Sequence, residues 1–212
     1  MCCGGALKSL VVDLQVPGRE KLRLLQASAL PAAGPRIKLV DPRRWGDPVK
    51  HYCAVVKMLH VGGQVVLGSQ SSRPRKVLVI FDTGTTGASM TPGLYESYWR
   101  MAQNAAQTGL AWSQARKVQV AFETTSGSDV CFDMYMGRHP SYGIGLDLVT
   151  PINEMAWAGV GPSESIANYK VPGGVQFKPP FEDVMLLGLG FLVGKCIAID
   201  TRMDQLAVIG GV

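Results

Sequence analysis

Five consecutive apolar residues, Val77–Phe81, end directly at Asp82. A strand with one solvent-facing side alternates apolar and polar residues, whereas a run that is apolar at every position is typical of a strand covered on both faces. Gly84 follows Asp82 by two residues and permits a tight loop that a side chain would block. We therefore predict that this strand lies inside a layered domain and holds the carboxylate of Asp82 at its end.

The composition favours a mostly β domain. Of the 212 residues, 47% are hydrophobic and 17% are charged, which is typical of a globular protein and not of a disordered one. The 25 glycines and 13 prolines lie between many short apolar runs and indicate frequent turns between strands. The length suffices for one sizeable domain, or for one domain and an irregular arm.

The first part of the chain differs from the remainder in its pattern. We interpret residues 1–45 as an N-terminal arm or linker of unknown role and residues 46–212 as one folded lobe. Within the arm, residues 7–16 are predicted to form a strand and residues 19–30 a short helix. Proline and alanine are frequent over residues 29–35, as in a linker.

Strand patterns dominate the lobe. Residues 52–61 are predicted to form one strand, and Gly62-Gly63 is predicted to turn the chain into a return strand over residues 64–67. The other predicted strands cover residues 118–122, 131–136, 184–187, 196–199 and 205–209.

One helix is predicted after the Asp82 segment. Thr91 is a favourable N-cap, Pro92 fits the first helical position, and apolar residues follow at helical spacing over residues 93–106. Tyr95, Tyr98 and Trp99 lie in this helix and are expected to be core residues. A second short helix would still agree with a mostly β fold.

The run Asp82-Thr83-Gly84-Thr85-Thr86 is the candidate site. Gly84 allows the loop to close tightly, and Thr85 offers a hydroxyl and a backbone N–H close to the Asp82 carboxylate. Hydrogen bonds of that kind hold a carboxylate in a fixed orientation, aimed into a cleft. The alternative is that Asp82 only ends a strand or caps the helix that follows it.

This run resembles the second catalytic loop of the pepsin-like aspartic proteases, and the stretch of likeness covers about residues 45 to 209. Three more segments follow the order of the C-terminal lobe of that family: the glycine hairpin, the segment after the loop, and the closing strands. The residues that carry the likeness are 52–64, Ile80 to Thr86, Met90-Thr91-Pro92, Leu186-Leu187-Gly188, Phe191, Ile199-Asp200 and Leu206-Ala207.

The resemblance implies a single lobe of the pepsin-like acid protease fold, mostly β, with one or two short helices. It implies that Asp82 is a catalytic carboxylate that cleaves peptide bonds through an aspartate dyad and an activated water. The supporting loop residues would be Thr83, Gly84, Thr85 and Thr86, and Leu187 and Gly188 would form the strand that crosses behind the loop. The family uses no cofactor and no metal.

Several positions depart from the family pattern. Leu189 stands where the family has an aspartate after the closing glycine, and of the cysteines only Cys131 falls in the region of the lobe's disulfide. No second Asp-Thr-Gly or Asp-Ser-Gly occurs, because Asp200-Thr201-Arg202 lacks the glycine. The 45 residues before the lobe are too few for the family's N-terminal lobe and its flap.

These departures leave three functional hypotheses within the family. The first is an aspartic endopeptidase lobe that receives its second aspartate from a partner lobe or from a second copy, as in two-fold retroviral proteases. The second is a fragment of a two-lobed enzyme. The third is a catalytically inactive lobe that binds peptides. A more distant alternative is a fragment of an actin-like-fold sugar kinase, whose phosphate-binding loop also reads Asp-x-Gly-Thr-Thr.

Charge and residue spacing argue against other partners. The formal net charge is +5, but the basic residues form no stripe interleaved with aromatic residues, so no nucleic-acid partner is expected. The three histidines, His51, His60 and His139, lack the spacing of metal ligands, and the five cysteines form no zinc pattern. The expected partners are a polypeptide substrate and a second lobe or copy.

No targeting or membrane segment is evident in the sequence. The long apolar stretch after Val184 is interrupted by glycines and Lys195, so no integral membrane segment is expected. The N-terminus lacks the pattern of a signal peptide, although members of the family usually enter secretory or vacuolar compartments. The location of the protein therefore stays unknown.

Overall fold

The computed structural model describes residues 7–16, 18–32, 34–45, 51–67, 76–152 and 181–210. Over these residues the chain is mostly β, as predicted, with three sheets and three helices. The strands are β1 (Ser9–Asp13), β2 (Lys21–Leu25), β3 (Ile37–Lys38), β4 (Cys53–Val55), β5 (Met58–Val61), β6 (Gln64–Leu67), β7 (Val77–Phe81), β8 (Ala88–Met90), β9 (Val118–Glu123), β10 (Asp129–Asp133), β11 (Val149–Pro151), β12 (Asp183–Leu187), β13 (Cys196–Asp200) and β14 (Gln205–Gly210). The helices are α1 (Pro92–Gln107), α2 (Trp112–Ala115) and α3 (Leu189–Leu192), and a 3-10 helix covers Pro42–Trp45.

The first sheet, here called the arm sheet, joins the start of the chain to its last strands. Its order is β2-β1-β13-β14-β3, and every pair is antiparallel. Ser9 lies opposite Asp200, and Asp13 lies opposite Cys196. Strands from residues 1–45 thus share one sheet with strands of the lobe, and the arm has a structural role that its sequence pattern did not reveal.

The short helix expected over residues 19–30 is wrong, because strand β2 occupies residues 21 to 25. Polar and apolar residues alternate from Lys21 to Leu24, which is the period of a strand and not of a helix. Pairing with β1 then satisfies the backbone of β2 along one edge. The predicted strand over residues 7–16 is confirmed in its central part as β1.

The second sheet, the central sheet, has the order β11-β8-β12-β7-β4. Strand β7 runs parallel to β12 on one side and antiparallel to β4 on the other. Val77 and Val79 pack in the main core, whereas Leu78 and Ile80 pack in a second cluster on the opposite face. The prediction that β7 is covered on both faces is therefore confirmed.

The third sheet, the hairpin sheet, has the order β10-β9-β5-β6. The predicted turn at Gly62-Gly63 is confirmed, and both glycines have positive φ, at 56° and 78°. The single strand expected over residues 52–61 is wrong, because it is divided into β4 and β5. The two halves join different sheets, and Val56 and Lys57 between them direct the chain from one layer to the next.

Helix α1 begins at Pro92 as predicted, but Thr91 does not cap it through its side chain. The Thr91 hydroxyl instead donates to Asp183 of β12 at 2.6 Å. Tyr98 is buried as expected, whereas Trp99 is 41% exposed and contacts the ring of Trp112 edge-on. Helix α1 therefore packs one face on the core and leaves an aromatic surface outside.

Three phenylalanines lie at the centre of the main core. Phe81, at the end of β7, contacts Phe122 of β9 and Phe132 of β10, and each pair of ring centroids is 5.6 Å apart. Phe122 and Phe132 are fully buried. Through Phe81, which directly precedes Asp82, this contact joins the central sheet to the hairpin sheet.

We expect Phe132→Ala to lower the free energy of unfolding by about 3–5 kcal/mol, because a fully buried ring is replaced by a cavity. Cys131→Ala is the matched control on the same strand, since Cys131 is exposed, and it should change stability by less than about 0.5 kcal/mol. Urea unfolding followed by tryptophan fluorescence measures both. Equal effects of the two variants would contradict the role given to this aromatic cluster.

Candidate active site

Strand β7 ends in a loop that holds both carboxylate oxygens of Asp82. The backbone N–H of Gly84 donates to Asp82 Oδ1 at 2.9 Å, and the hydroxyl of Thr85 donates to Oδ2 at 2.8 Å. The Asp82 N–H itself donates to the carbonyl of Leu187 at 2.9 Å. Backbone and side chain of Asp82 are thus fixed from three directions, while the residue stays partly exposed.

The other loop residues have distinct surroundings. Thr83 and Gly84 are exposed, whereas Thr86 is half-buried and its carbonyl accepts the N–H of Gly190 at 2.9 Å. The structure therefore brings Asp82 to Thr86 together as one loop. Their catalytic roles stay predictions.

Leu187 and Gly188 lie directly behind this loop. The Gly188 N–H donates to the Gly87 carbonyl at 2.8 Å, and the Leu189 N–H donates to the Thr85 carbonyl at 2.8 Å. A Cβ added to Gly188 would lie 2.1 Å from the carbonyl oxygen of Thr85, closer than any real Cβ approaches an oxygen. Only glycine therefore fits at this crossing of β12 behind the loop.

A cavity of about 470 Å³ opens beside Asp82. Asp82 and Thr83 form its polar end, Tyr52 and Phe81 lie next to them, and most of the wall is aliphatic. The aliphatic side chains come from strands of the arm sheet, from the residue after β1 and from α3, and are Leu10, Val12, Leu14, Leu22, Leu192, Ile197, Ile199 and Leu206. The cavity can therefore accept an apolar group within reach of a fixed carboxylate.

The arm also contributes a second carboxylate to the lining, at Glu20. The N–H of Gly18 donates to Glu20 Oε1 at 2.9 Å and lowers the pKa of this carboxyl, and the hydroxyl of Tyr142 donates to the same oxygen at 3.3 Å. Sequence reasoning missed Glu20 and the aliphatic arm residues. The alternation of polar and apolar residues from Lys21 to Leu24 was the signal that could have indicated a strand there.

Asp200 does not take part in the cavity. It is buried at the end of β13, and its Oδ1 accepts the N–H groups of Arg202 and Met203 at 3.0 and 2.9 Å. This geometry closes the turn between β13 and β14. Asp200 thus stabilises a turn, and its sequence Asp200-Thr201-Arg202 lacks the glycine of the Asp-Thr-Gly loop.

The described part of the chain holds no group of three or more histidine, cysteine, aspartate or glutamate side chains arranged for a metal ion. Within the same residues, no helix has both the length and the apolar character needed to cross a membrane.

Comparison with known proteins shows the fold and no closer kinship. No protein-family model matches the sequence, and no curated protein matches it. The crystal structure of basic 7S globulin from soybean matches with a TM-score of 0.53 at 13% sequence identity, over 94% of this chain and 50% of the globulin chain. That globulin has an aspartic-protease-like fold. The chain thus has the fold of one pepsin-like lobe and spans about half the length of that globulin chain.

We expect Gly188→Ala to destabilise the fold by at least about 1–3 kcal/mol, because its methyl group collides with backbone and not with a side chain that can move. Thermal unfolding of the variant beside the wild-type protein measures the loss. Unchanged stability would show that the loop after Asp82 can shift away from β12. The structure would then give no reason for a glycine at this position.

Proposed function

We propose that this chain is one lobe of a pepsin-like aspartic endopeptidase and that Asp82 is one of two catalytic carboxylates. The observation that carries the proposal is the Asp82 loop: both carboxylate oxygens are held by hydrogen bonds, and the carboxylate faces a largely aliphatic cavity. The aspartic-protease-like fold supports it. The substrate is an extended polypeptide segment.

The reaction needs two carboxylates that share one proton. The ionised carboxylate takes a proton from water, the water attacks the peptide carbonyl, and the protonated carboxyl donates to the carbonyl oxygen. Two carboxyl groups at close distance do not both ionise, because their negative charges would repel each other. One of them therefore stays protonated under acid conditions. Asp82 alone can supply only one member of this pair.

A partner lobe or a second copy would supply the other member. Among the described residues, Asp82 is the one aspartate held in an Asp-Thr-Gly loop, and the chain spans half of its structural neighbour. A two-fold axis beside the cavity would place the Asp82 side chains of two copies opposite each other. We therefore propose that the active form is a pair of lobes.

A catalytically inactive peptide-binding lobe is the second candidate. The aliphatic wall of the cavity favours it, because burial of an apolar side chain there requires no second aspartate. The sugar-kinase alternative has less support. Its phosphate-binding loop is a hairpin turn between paired strands, whereas here β12 lies between β7 and β8 in the central sheet.

We expect cleavage of an unfolded protein substrate at about pH 4, inhibition of this cleavage by pepstatin, and loss of more than about 99% of it in Asp82→Asn. Glu96→Gln is the matched control, because Glu96 is an exposed carboxylate on α1, and it should cleave like the wild type. Product formation is followed by mass spectrometry. Absence of cleavage by the purified protein at any concentration would favour the binding lobe.

Mixing wild-type chains with Asp82→Asn chains tests the dyad between two copies. If every active unit needs two intact copies, an equal mixture should retain about one quarter of the activity of the same total wild-type concentration. Lobes that act independently would retain about one half. Sedimentation across a wide concentration range provides the second measurement, and a strictly monomeric, active protein would contradict the paired form.

A further inference from the structure

We propose that the cavity beside Asp82 selects a lysine side chain of the substrate, whose methylene groups lie along the aliphatic wall and whose ammonium group pairs with the carboxylate of Glu20. The inference rests on the proposed function, because the lysine would belong to the polypeptide that is cleaved. Three features of the cavity carry it: the aliphatic wall, the fixed carboxylate of Glu20, and the negative balance of the lining charges.

The aliphatic wall can contact the whole stem of a lysine. The cavity volume of about 470 Å³ lies within the range of about 300–1,000 Å³ that is usual for ligand pockets. Val12 and Leu22 lie opposite each other in the register of β1 and β2, so both contribute to one face of the arm sheet. Long cationic side chains commonly lay their methylene groups along such an apolar surface and keep the charged end on a polar group.

Glu20 adds a fixed carboxylate to this wall. The N–H of Gly18 and the hydroxyl of Tyr142 both donate to Oε1, at 2.9 and 3.3 Å, so the turn after β1 and a loop of the lobe together hold the group. Both donors use the same oxygen, and an ammonium group can therefore pair with the second oxygen, Oε2, without displacing either of them. The carboxylate is thus oriented before a ligand arrives.

The charges that line the cavity leave a negative balance. Among the described lining residues, Glu20 and Asp82 are acidic and Lys21 is basic. The ion pairs between described residues do not include Lys21. Lys21 lies opposite Asp13 in the register, and its side chain points away from the face of Leu22, because successive residues of a strand alternate between faces. A cationic side chain that enters the cavity would therefore be attracted.

The charge of Glu20 persists at acid pH. The N–H of Gly18, and in addition the Tyr142 hydroxyl and the nearby His139, favour the ionised form and lower the pKa of Glu20 below that of an ordinary glutamate. Glu20 therefore stays ionised further into the acid range in which the proposed cleavage takes place, and a lysine side chain is cationic throughout that range. The attraction is thus available when the proposed enzyme works.

Other side chains match the cavity less well. A purely apolar side chain would cover the wall but would take water from the Glu20 carboxylate without replacing its hydrogen bonds. An acidic side chain would lie close to two carboxylates of the same charge. A guanidinium binds a carboxylate best through both oxygens at once, and Oε1 already accepts two hydrogen bonds, so lysine is favoured over arginine.

The test uses the full chain carrying Asp82→Asn, so that a bound peptide is not cut and Glu20 is the one acidic residue left among the described lining residues. The probes are fluorescein-labelled alanine hexapeptides with one variable residue, and fluorescence anisotropy measures their dissociation constants. We expect the lysine peptide to bind at least about threefold more tightly than the norleucine peptide at low salt, and less so as salt is added, because Glu20 is exposed.

A peptide with diaminopropionic acid separates the proposed site from simple charge attraction. Its side chain carries the same charge on a shorter stem, which cannot lie along the wall and reach Glu20 together. We expect it to bind at least about threefold less tightly than the lysine peptide. Equal binding of these two peptides, or no measurable binding of the lysine peptide, would overturn the proposal.

Glu20→Gln should abolish the preference for lysine over norleucine, because the amide keeps the size and the acceptor Oε1 but loses the charge. Glu20→Lys should go further and make the glutamate peptide bind more tightly than the lysine peptide. Asp13→Asn is the matched control, since Asp13 is a carboxylate on the other face of the same sheet, and it should leave the lysine preference unchanged. A lysine preference that survives in Glu20→Gln would contradict the assignment.

Leu22→Ser tests the wall and should weaken binding of the lysine and norleucine peptides by a similar factor of about three or more through loss of apolar contact. Leu24→Ser is its control, because Leu24 is 62% exposed, close to the 66% of Leu22, but does not line the cavity. Equal losses in the two variants would mean that the peptide lies on the outside of β2, which would overturn the proposal. Circular dichroism establishes that every variant is folded.

The lysine site and the proposed catalysis fail separately. Products of wild-type cleavage, identified by mass spectrometry, should carry lysine beside the cut bond, and Glu20→Gln should lower kcat/KM for lysine peptides more than for norleucine peptides. Cleavage with no enrichment of lysine would overturn the lysine site and leave the proposed protease function standing. Binding of lysine to Asp82→Asn that depends on Glu20 would support the site even if the wild-type protein cleaved nothing.

Discussion

Three backbone N–H groups after β12 donate to carbonyls of the loop that carries Asp82. Those of Gly188, Leu189 and Gly190 bond to the carbonyls of Gly87, Thr85 and Thr86. The distances are possible because residue 188 has no side chain. Since the same loop fixes the Asp82 carboxylate, the orientation of the candidate catalytic group depends on how closely two distant segments of backbone approach each other.

The arm sheet is the second element on which the site depends. It joins β1 and β2 to the C-terminal strands and thereby places an aliphatic wall beside the polar end of the cavity. The Asp82 loop comes from one layer and the wall from another, and the phenylalanine contact behind Phe81 holds the central sheet on the hairpin sheet. The cavity therefore forms where these layers pack together, and no single segment of the chain encloses it.

Local sequence patterns were sufficient to predict one part of this structure. The unbroken apolar run of β7 and the turn at Gly62-Gly63 each have a cause within a few residues, and both were predicted from the sequence. Strand β1 was predicted as well, but the arm sheet was not, because β1 pairs with β13, far along the chain, and β2 joins the sheet through β1. The Thr91 hydroxyl donates to Asp183, which is also distant along the chain, so the N-cap preference of Thr91 could not predict this hydrogen bond.

The parallel pairing of β7 with β12 also has a consequence for biosynthesis. Residues 77 to 81 leave the ribosome long before residues 183 to 187, and parallel partners cannot form a local hairpin meanwhile. The backbone clamp on the Asp82 loop is therefore completed only after residue 190 has emerged. A nascent chain carries the aspartate without the geometry that orients it, so the timing of translation itself delays assembly of the site.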